Sequence, residues 1–256
     1  MGARGSKERD AAKGSPKTPP PIWLLPEPPE RKWGLGRGEI VRAAVEIADA
    51  GGAEALTMRA VAAKLGSSTP MSLYRYVHSK EGLVDLMLDA AGAEVATPAH
   101  PGADWRGDLE RLATEYWAMA KRHPWFAELV HSRPPAGPHA CRIKEFVLAT
   151  FDRHGQDLAA GLGYLRLVEG YVLGAALQRA EEVKMWRHND FGSAEQVREH
   201  ARGWWGEGTE DGPYPLLGRF MRTFLRDEDP ELLGPDEDAQ FRLGLDCLLD
   251  GIAARL

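Results

Sequence analysis

The chain has 256 residues, of which 43% are hydrophobic and 27% charged, as is ordinary for a globular protein with a substantial apolar core. The formal net charge is -6, and no window has the roughly 18 consecutive apolar residues that a membrane-spanning helix needs. The first residues are charged and lack an apolar stretch, so we expect no secretory signal. Cys141 and Cys247 lie far apart, which excludes a disulfide framework and favours a reducing cytoplasm.

The charge is divided unevenly along the chain. Residues 1–90 contain 13 Lys and Arg against 11 Asp and Glu, so this part carries +2 and the remainder must carry -8 to give -6. A slightly basic part on an acidic body is compatible with local contact to phosphate groups. Random variation of surface charge explains the asymmetry equally well, so the division by itself indicates little.

The N-terminal residues 1–35 are rich in proline, with seven of the 18 prolines of the chain. Such a stretch cannot continue a helix or a sheet, and we predict a disordered, Pro-rich tail. The apolar patch at 22–25 and Trp33 is expected to dock against the folded part, at a place that the sequence does not specify.

From Arg37 onward apolar residues recur at the spacing of a helix face. The first helix is predicted to end at Gly51-Gly52, and Thr57 caps a second helix that Gly66 terminates.

The third helix is very short. It opens with the pair Thr69-Pro70, a cap residue followed by proline at the first helical position, and it ends at about Val77. Ser79 caps a fourth helix, which runs beyond residue 90.

The rest of the chain also reads as helical, with no alternating strand pattern, so the predicted fold is all-α. The further helices are expected at 104–122, 125–131, 138–154, 158–188, 194–206, 214–226 and 237–254.

The stretch 57–80 is the most informative, because a helix, a glycine-bearing turn and a second short helix form a helix-turn-helix. In the second helix Pro70, Leu73 and Val77 share a face and are predicted to pack inward. The predicted outward face carries Met71, Ser72, Tyr74, Arg75 and Tyr76. Arginine bonds bidentately to guanine and tyrosine hydroxyls reach phosphates, so this face suits a DNA major groove. The alternative is a helical hairpin within a core.

The segments RGEIVRAAVEIADAGG, LTMRAVAAKLG and MSLYRYVHSKEGLVDLML resemble the N-terminal domain of the tetracycline-repressor (TetR) family across residues 37–90. The resemblance implies a three-helix DNA-binding domain at 36–82 and a helical effector-binding and dimerisation domain at 83–256. It also implies a transcriptional repressor that a small apolar or aromatic molecule releases from a palindromic operator. A loose second contact of the Pro-rich tail with DNA stays open as an alternative to a plain tail.

The resemblance assigns roles to individual residues of the helix-turn-helix. The implied DNA-binding residues are Thr57, Arg59, Thr69, Pro70, Met71, Ser72, Tyr74, Arg75, Tyr76 and Lys80. Ser72 and Arg75 are expected to read bases, while Tyr74, Tyr76 and Lys80 anchor the DNA backbone. The turn before the third helix is one residue longer than the family's pattern, which puts the division between base and phosphate contacts in question.

A helix this short reads few base pairs, so two copies are needed, roughly 34–36 Å apart on the DNA. A C-terminal apolar stripe and the glycines of 158–188 predict an intermolecular four-helix bundle, with an intrachain core as the alternative. The predicted homodimer interface comprises Gly170, Gly174, Phe241, Leu245, Leu248 and Ile252.

The effector pocket is expected among the helices of 104–190, where aromatic side chains gather. Its predicted walls are Trp117, Trp125, Phe146 and Trp186, although aromatics at helical spacing also form ordinary cores. Glu169 is interpreted as a surface charge or a bundle partner.

The sequence does not indicate an enzyme, because nucleophile motifs, phosphate-binding glycine loops and catalytic carboxylate pairs are missing. The histidines are scattered without the spacing of metal ligands, so neither a metal nor a cofactor is expected. A DNA-binding architectural protein of the same fold without an effector is the nearer alternative, and a helical enzyme is the remote one.

Overall fold

The protein is described by a computed structural model, which covers residues 21–28, 36–66, 69–131, 133, 136–205, 213–226 and 237–256. Within these ranges the secondary structure is helical throughout, which confirms the all-α prediction. One 3-10 helix, Ile22–Leu24, precedes the α-helices. These are α1 Arg37–Ala55, α2 Met58–Lys64, α3 Met71–Val77, α4 Lys80–Ala93, α5 Trp105–Arg122, α6 Trp125–Val130, α7 Pro138–Asp152, α8 Leu158–His188, α9 Ala194–Trp205, α10 Pro215–Arg226 and α11 Glu237–Ala253.

The helix ends lie where capping residues place them. Asp104 accepts a hydrogen bond from the backbone N–H of Arg106 at 3.1 Å and starts α5, and Asp157 accepts one from Ala160 at 2.7 Å and starts α8. Pro138 occupies the first position of α7, where its missing N–H costs nothing. These local signals explain why the boundaries predicted from residue 104 onward agree with the structure.

The kink near the end of α1 corresponds to the predicted end of the first helix. Gly52 has φ 76°, a left-handed conformation that glycine adopts without steric strain. A last turn follows and leads to the cap of α2, where the side chain of Thr57 accepts a hydrogen bond from the backbone N–H of Ala60 at 3.1 Å.

The prediction of a disordered tail is wrong for residues 21–28. Ile22 is buried and Trp23 is half-buried, because the 3-10 helix packs its apolar side chains against α4. Glu27 accepts a hydrogen bond from the backbone N–H of Arg37 at 3.2 Å, which fixes this segment to the start of α1. The other residues of the predicted tail, Trp33 among them, lie outside the described residues.

Among the described residues, a continuous hydrophobic core extends from the N-terminal helices into the C-terminal ones. The helix α4 contacts α1 and α3 on one side and α5, α6 and α7 on the other, so it joins the two parts. The long helix α8 packs against α5, α6, α7 and α11. Among the described helices, none is both long enough and apolar enough to cross a bilayer.

Candidate nucleic-acid interface and effector site

The short helix α3 is held by an apolar side that faces the core. Leu73 and Val77 are fully buried, as predicted, whereas Pro70 is half-buried and acts as the N-cap instead of the first helical residue. The hydroxyl of Ser72 donates to the carbonyl oxygen of Thr69 at 2.8 Å and closes the first turn. The longer turn that the sequence indicates includes residues 67 and 68, which lie outside the described residues.

The prediction that Tyr76 faces outward is wrong. Its side chain is 1% exposed, and its hydroxyl is buried without a hydrogen-bond partner. The reason is the helical repeat, because Tyr76 is three residues after Leu73 and next to Val77, and so belongs to the inward side. A hydroxyl enclosed in this way cannot reach a phosphate, so Tyr76 is a core residue.

The other residues predicted to contact DNA are accessible. Met71 is 74% exposed, Arg75 is exposed, and Ser72 and Tyr74 are half-buried beside them. The remaining exposed members of this set are Thr57, Arg59, Thr69 and Lys80.

The positively charged side chains of this face are not neutralised by described acidic neighbours. No acidic side chain of the described ranges forms an ion pair with Arg59, Arg75 or Lys80. Lys80 is also the first residue of α4, where the unpaired backbone N–H groups of a helix start add positive potential. A surface of this kind attracts a polyanion.

The turn between α3 and α4 is unusually tight. His78 has φ 59°, an uncommon value for a residue other than glycine, and the N–H of Ser79 donates to the carbonyl oxygen of Val77 at 2.6 Å. The hydroxyl of Ser79 accepts from the N–H of Gly82 at 2.9 Å and caps α4. A Cβ at Gly82 would overlap the carbonyl oxygen of Val77, so the close approach of these elements requires glycine.

The helix α4 is fastened to the C-terminal helices by two carboxylates. Asp85 forms an ion pair with Arg133 through both of its oxygens, one of them at 2.7 Å from a guanidinium nitrogen. Asp89 is buried and accepts hydrogen bonds from the backbone N–H groups of His139 and Ala140, at 3.0 and 3.3 Å, at the start of α7.

The helix α1 is fastened to the same body through His123. One ring nitrogen of this buried histidine lies 2.7 Å from Asp49 of α1, and the other lies 3.0 Å from Glu94 at the end of α4. The indole N–H of Trp125 donates to the same oxygen of Asp49 at 2.6 Å. Two helices of the N-terminal part are thus joined by hydrogen bonds to the region where α5 meets α6.

The predicted effector walls mostly serve as packing. Trp125 is 0% exposed, so it lines no space wide enough for water, and its prediction as a pocket wall is wrong for this conformation. Trp117 stacks on Phe241 with ring centres 4.8 Å apart and donates its N–H to Asp238 at 2.7 Å. Phe146 is buried in α7, and Trp186 is half-buried near the end of α8.

Glu169, which the sequence analysis interpreted as a surface charge or a bundle partner, is partly buried in the structure. Burial raises the pKa of its carboxyl group, while the nearby cations Lys144 and Arg166 lower it. Burial also raises the pKa of Tyr116, with a further contribution from the charge of Glu169. The carboxylate therefore lies where α5, α7 and α8 meet, and no described residue donates a hydrogen bond to it.

The spacing of α8 could have revealed this position. Leu165, Val172 and Ala176 are buried, and Glu169 falls between them at intervals of four and three, on the same side of the helix. In the described ranges no group of three or more His, Cys, Asp and Glu side chains is arranged to hold a metal ion.

Comparison with known proteins identifies both parts of the chain. Residues 40–87 match the family described as bacterial regulatory proteins, tetR family, and residues 97–256 match the tetracyclin repressor-like C-terminal domain. The chain is 35% identical to the HTH-type transcriptional repressor DrrR1 of Streptomyces coeruleorubidus, over 98% of this chain and 90% of that protein. The chain belongs to the TetR family.

A second relative and a solved structure agree with this assignment to the TetR family. An HTH-type transcriptional regulator of Saccharopolyspora erythraea is 36% identical over 92% of each chain. The TetR family protein ActR of Streptomyces coelicolor, solved in complex with actinorhodin, has the same fold, with a TM-score of 0.66 and 24% identity over 86% of this chain and 97% of that one. The protein is therefore a DNA-binding regulator of transcription and not an enzyme, as the sequence indicated.

Members of the TetR family form dimers, but three residues predicted for the dimer interface face the core of their own chain. Phe241, Leu245 and Ile252 are buried, and the hydroxyl of Tyr171 donates to the carbonyl oxygen of Phe241 at 2.8 Å. Because these side chains are buried where α11 packs against α8 of the same chain, they have no exposed surface that a second copy could contact. The intrachain alternative is correct for these three residues.

The outer side of α8 and α11 is different. Gly170 and Gly174 are exposed, and a Cβ added to either would meet nothing within 4 Å. Leu248 is half-buried, and Leu243 is 66% exposed on the side of α11 that is turned away from the core.

Proposed function

We propose that this TetR-family regulator is a homodimeric repressor that binds a palindromic operator through the outer side of α3 and leaves it when a small molecule binds. The observation that carries this proposal is the exposure of Met71 and Arg75 above the buried Leu73 and Val77. A rigid apolar base holds the polar side chains of α3 outward, which is what reading base edges requires.

The contacts divide by reach and chemistry. Arg75 presents a guanidinium group that can bond bidentately to guanine, and Met71 offers an apolar contact to a thymine methyl group. Tyr74, Arg59 and Lys80 supply phosphate contacts that position α3 without reading sequence. A bacterial regulator of this kind acts in the cytoplasm, where its operator lies.

The proposed effector site is the region where α5, α7 and α8 meet, around Glu169. Burial raises the pKa of Glu169 and so disfavours its charged form, and a ligand that donates an N–H or O–H group would stabilise the carboxylate. Tyr116 is close enough to Glu169 for its charge to raise the tyrosine pKa, and Phe146 lies on α7, so an aromatic molecule with one donor group fits this site.

Release would be transmitted through α4, which touches both parts of the chain. An effector that changes the position of α7 or α5 acts on Asp85 and Asp89, and α4 carries the change to α3. Moving operator occupancy from nearly complete to nearly absent requires about 5.5 kcal/mol of differential affinity, which two sites per dimer would share.

The test is binding to the DNA upstream of the gene, measured by fluorescence anisotropy and footprinting. Arg75→Ala should lose about 1–3 kcal/mol on the natural operator and lose its preference at particular base pairs. Arg142→Ala, an exposed position of α7, is the matched control and should bind normally. Undiminished binding by Arg75→Ala would remove α3 from the interface.

A further inference from the structure

A cavity of about 500 Å³ lies outside both proposed sites, between the N-terminal segment, α1 and α4. Trp23 lines it from the segment, Val41 and Val45 from α1, and Leu86 and Ala90 from α4. The volume falls in the range of roughly 300–1,000 Å³ that small-molecule sites occupy. An aromatic wall facing aliphatic ones is suited to a flat ring system.

Arg37 adds a polar group that lacks a partner. This residue lines the cavity, and its Nε donates to the carbonyl oxygen of Tyr76 at 3.1 Å. Its Nη2 is buried and has no hydrogen-bond partner among the residues that the structure describes. Buried donors in native proteins are nearly always satisfied, so an acceptor that enters the cavity beside Arg37 would supply what the described residues do not.

The acidic groups of the cavity are already engaged. Glu46 pairs with a lysine at 2.8 Å, Glu94 pairs with an arginine at 2.8 Å, and Asp89 accepts two backbone N–H groups of α7. Glu27 accepts the backbone N–H of Arg37. The unsatisfied group is therefore a cationic donor, which favours an anionic ligand over a cationic one.

We propose that this cavity binds a flat aromatic anion, with its rings between Trp23 and the aliphatic walls and its carboxylate, sulfonate or phenolate oxygen beside the Arg37 side chain, which lines the cavity. The site is separate from the one around Glu169. It joins α1 of the DNA-binding part to α4, so its ligand stabilises the arrangement of these two helices.

The experiment uses anthraquinone-2-sulfonate as the probe and isothermal titration calorimetry on the full chain. Wild type should bind it, and Arg37→Gln should weaken binding by about tenfold or more because a charged hydrogen bond is lost. Arg142→Gln removes an exposed charge elsewhere and should bind as wild type does. The charge-reversed analogue 2-(aminomethyl)anthraquinone should bind at least about tenfold more weakly than the sulfonate.

Filling the cavity is the second arm. Ala90→Phe and Val45→Phe each place a larger side chain in the cavity, from α4 and from α1. Either variant that circular dichroism shows to be folded should therefore abolish binding of the probe. Glu169→Gln should leave it unchanged, which separates this cavity from the effector site. No binding by wild type, or equal binding by Arg37→Gln and a folded filled variant, would overturn the proposal. Operator binding without the probe is measured in parallel, and its loss would count against the proposed function instead.

Discussion

Tyr74 and Tyr76 lie two positions apart in the same short helix, and their environments are opposite. Tyr74 is half-buried at the surface of α3, whereas the hydroxyl of Tyr76 is enclosed without a partner. The sequence analysis placed both outside because it took Pro70, Leu73 and Val77 as the whole inward face of the helix. In a helix of seven residues, the position of a side chain relative to the buried Leu73 determines whether it is buried or exposed, and its residue type does not.

The two tyrosines predict opposite results for one chemical change. Tyr76→Phe removes an unsatisfied buried hydroxyl, so operator affinity should be unchanged and the free energy of unfolding should rise by up to about 1 kcal/mol. Tyr74→Phe should weaken binding to all operator sequences and reduce the salt dependence by about one phosphate contact. Urea denaturation and anisotropy at several salt concentrations measure both. A reduced salt dependence of operator binding in Tyr76→Phe would show that Tyr76 contacts DNA after all.

Glu169 predicts a pH dependence of stability. Because burial raises its pKa in the folded state, the folded protein holds this proton more tightly than the unfolded chain. Stability is therefore favoured below the ordinary pKa near 4.5 and is lost as pH rises through the raised value. Glu169→Gln should remove this slope and be more stable at neutral pH in urea denaturation. Glu182→Gln, exposed on the same helix, should keep it.

At the scale of elements, the helices were predictable and their polar junctions were not. The apolar repeat of α4 and its cap Ser79 are local signals within a few residues. The partner of Asp85 is Arg133, 48 residues later in the chain, and the partners of Asp89 are backbone groups of α7. Such pairings depend on how whole helices pack, so a periodic pattern cannot reveal them.

A double-mutant cycle tests the junction between Asp85 and Arg133. Asp85→Asn and Arg133→Gln should show a coupling energy of about 1–2 kcal/mol in urea denaturation, because the pair is bidentate and partly buried. The exposed pair of Glu39 and Arg42 within α1 is the matched control, and it should couple by less than about 0.5 kcal/mol. Equal values for the two pairs would show that Asp85 does not fasten α4.

At the scale of the molecule, the dimer surface was the harder prediction. The sequence analysis assigned the regular apolar stripe of α11 to the dimer interface. In the structure, Phe241 and Leu245 of this stripe are buried, and α11 packs against α5 and α8 of the same chain. A sequence contains no mark that separates an intrachain stripe from an intermolecular one, since both are apolar with the same period. Gly170 and Gly174 lie on the outer side, where an added Cβ would meet nothing within 4 Å, so their place in a dimer interface stays a prediction.

The outer side of α11 predicts a dimer that depends on Leu243. Leu243→Asp should produce monomers with weak operator binding, because a charge would be buried between copies. Leu24→Asp is the control, since Leu24 is 75% exposed on the N-terminal segment and should stay dimeric. Sedimentation velocity distinguishes the two states. A dimeric Leu243→Asp protein would place the interface elsewhere.

In the proposed release mechanism, the turn between α3 and α4 carries the motion of α4 to α3. His78 has a positive φ, and Gly82 lies so close to the carbonyl oxygen of Val77 that a Cβ would overlap it. The two helices are therefore joined by a short and closely packed turn. A hinge of several free residues would absorb part of any rotation, whereas this short turn is expected to pass the rotation on to α3. In the proposed release mechanism, a small rotation of α4 would therefore take the two α3 helices of a dimer out of register with successive grooves, without any rearrangement inside the DNA-binding domain.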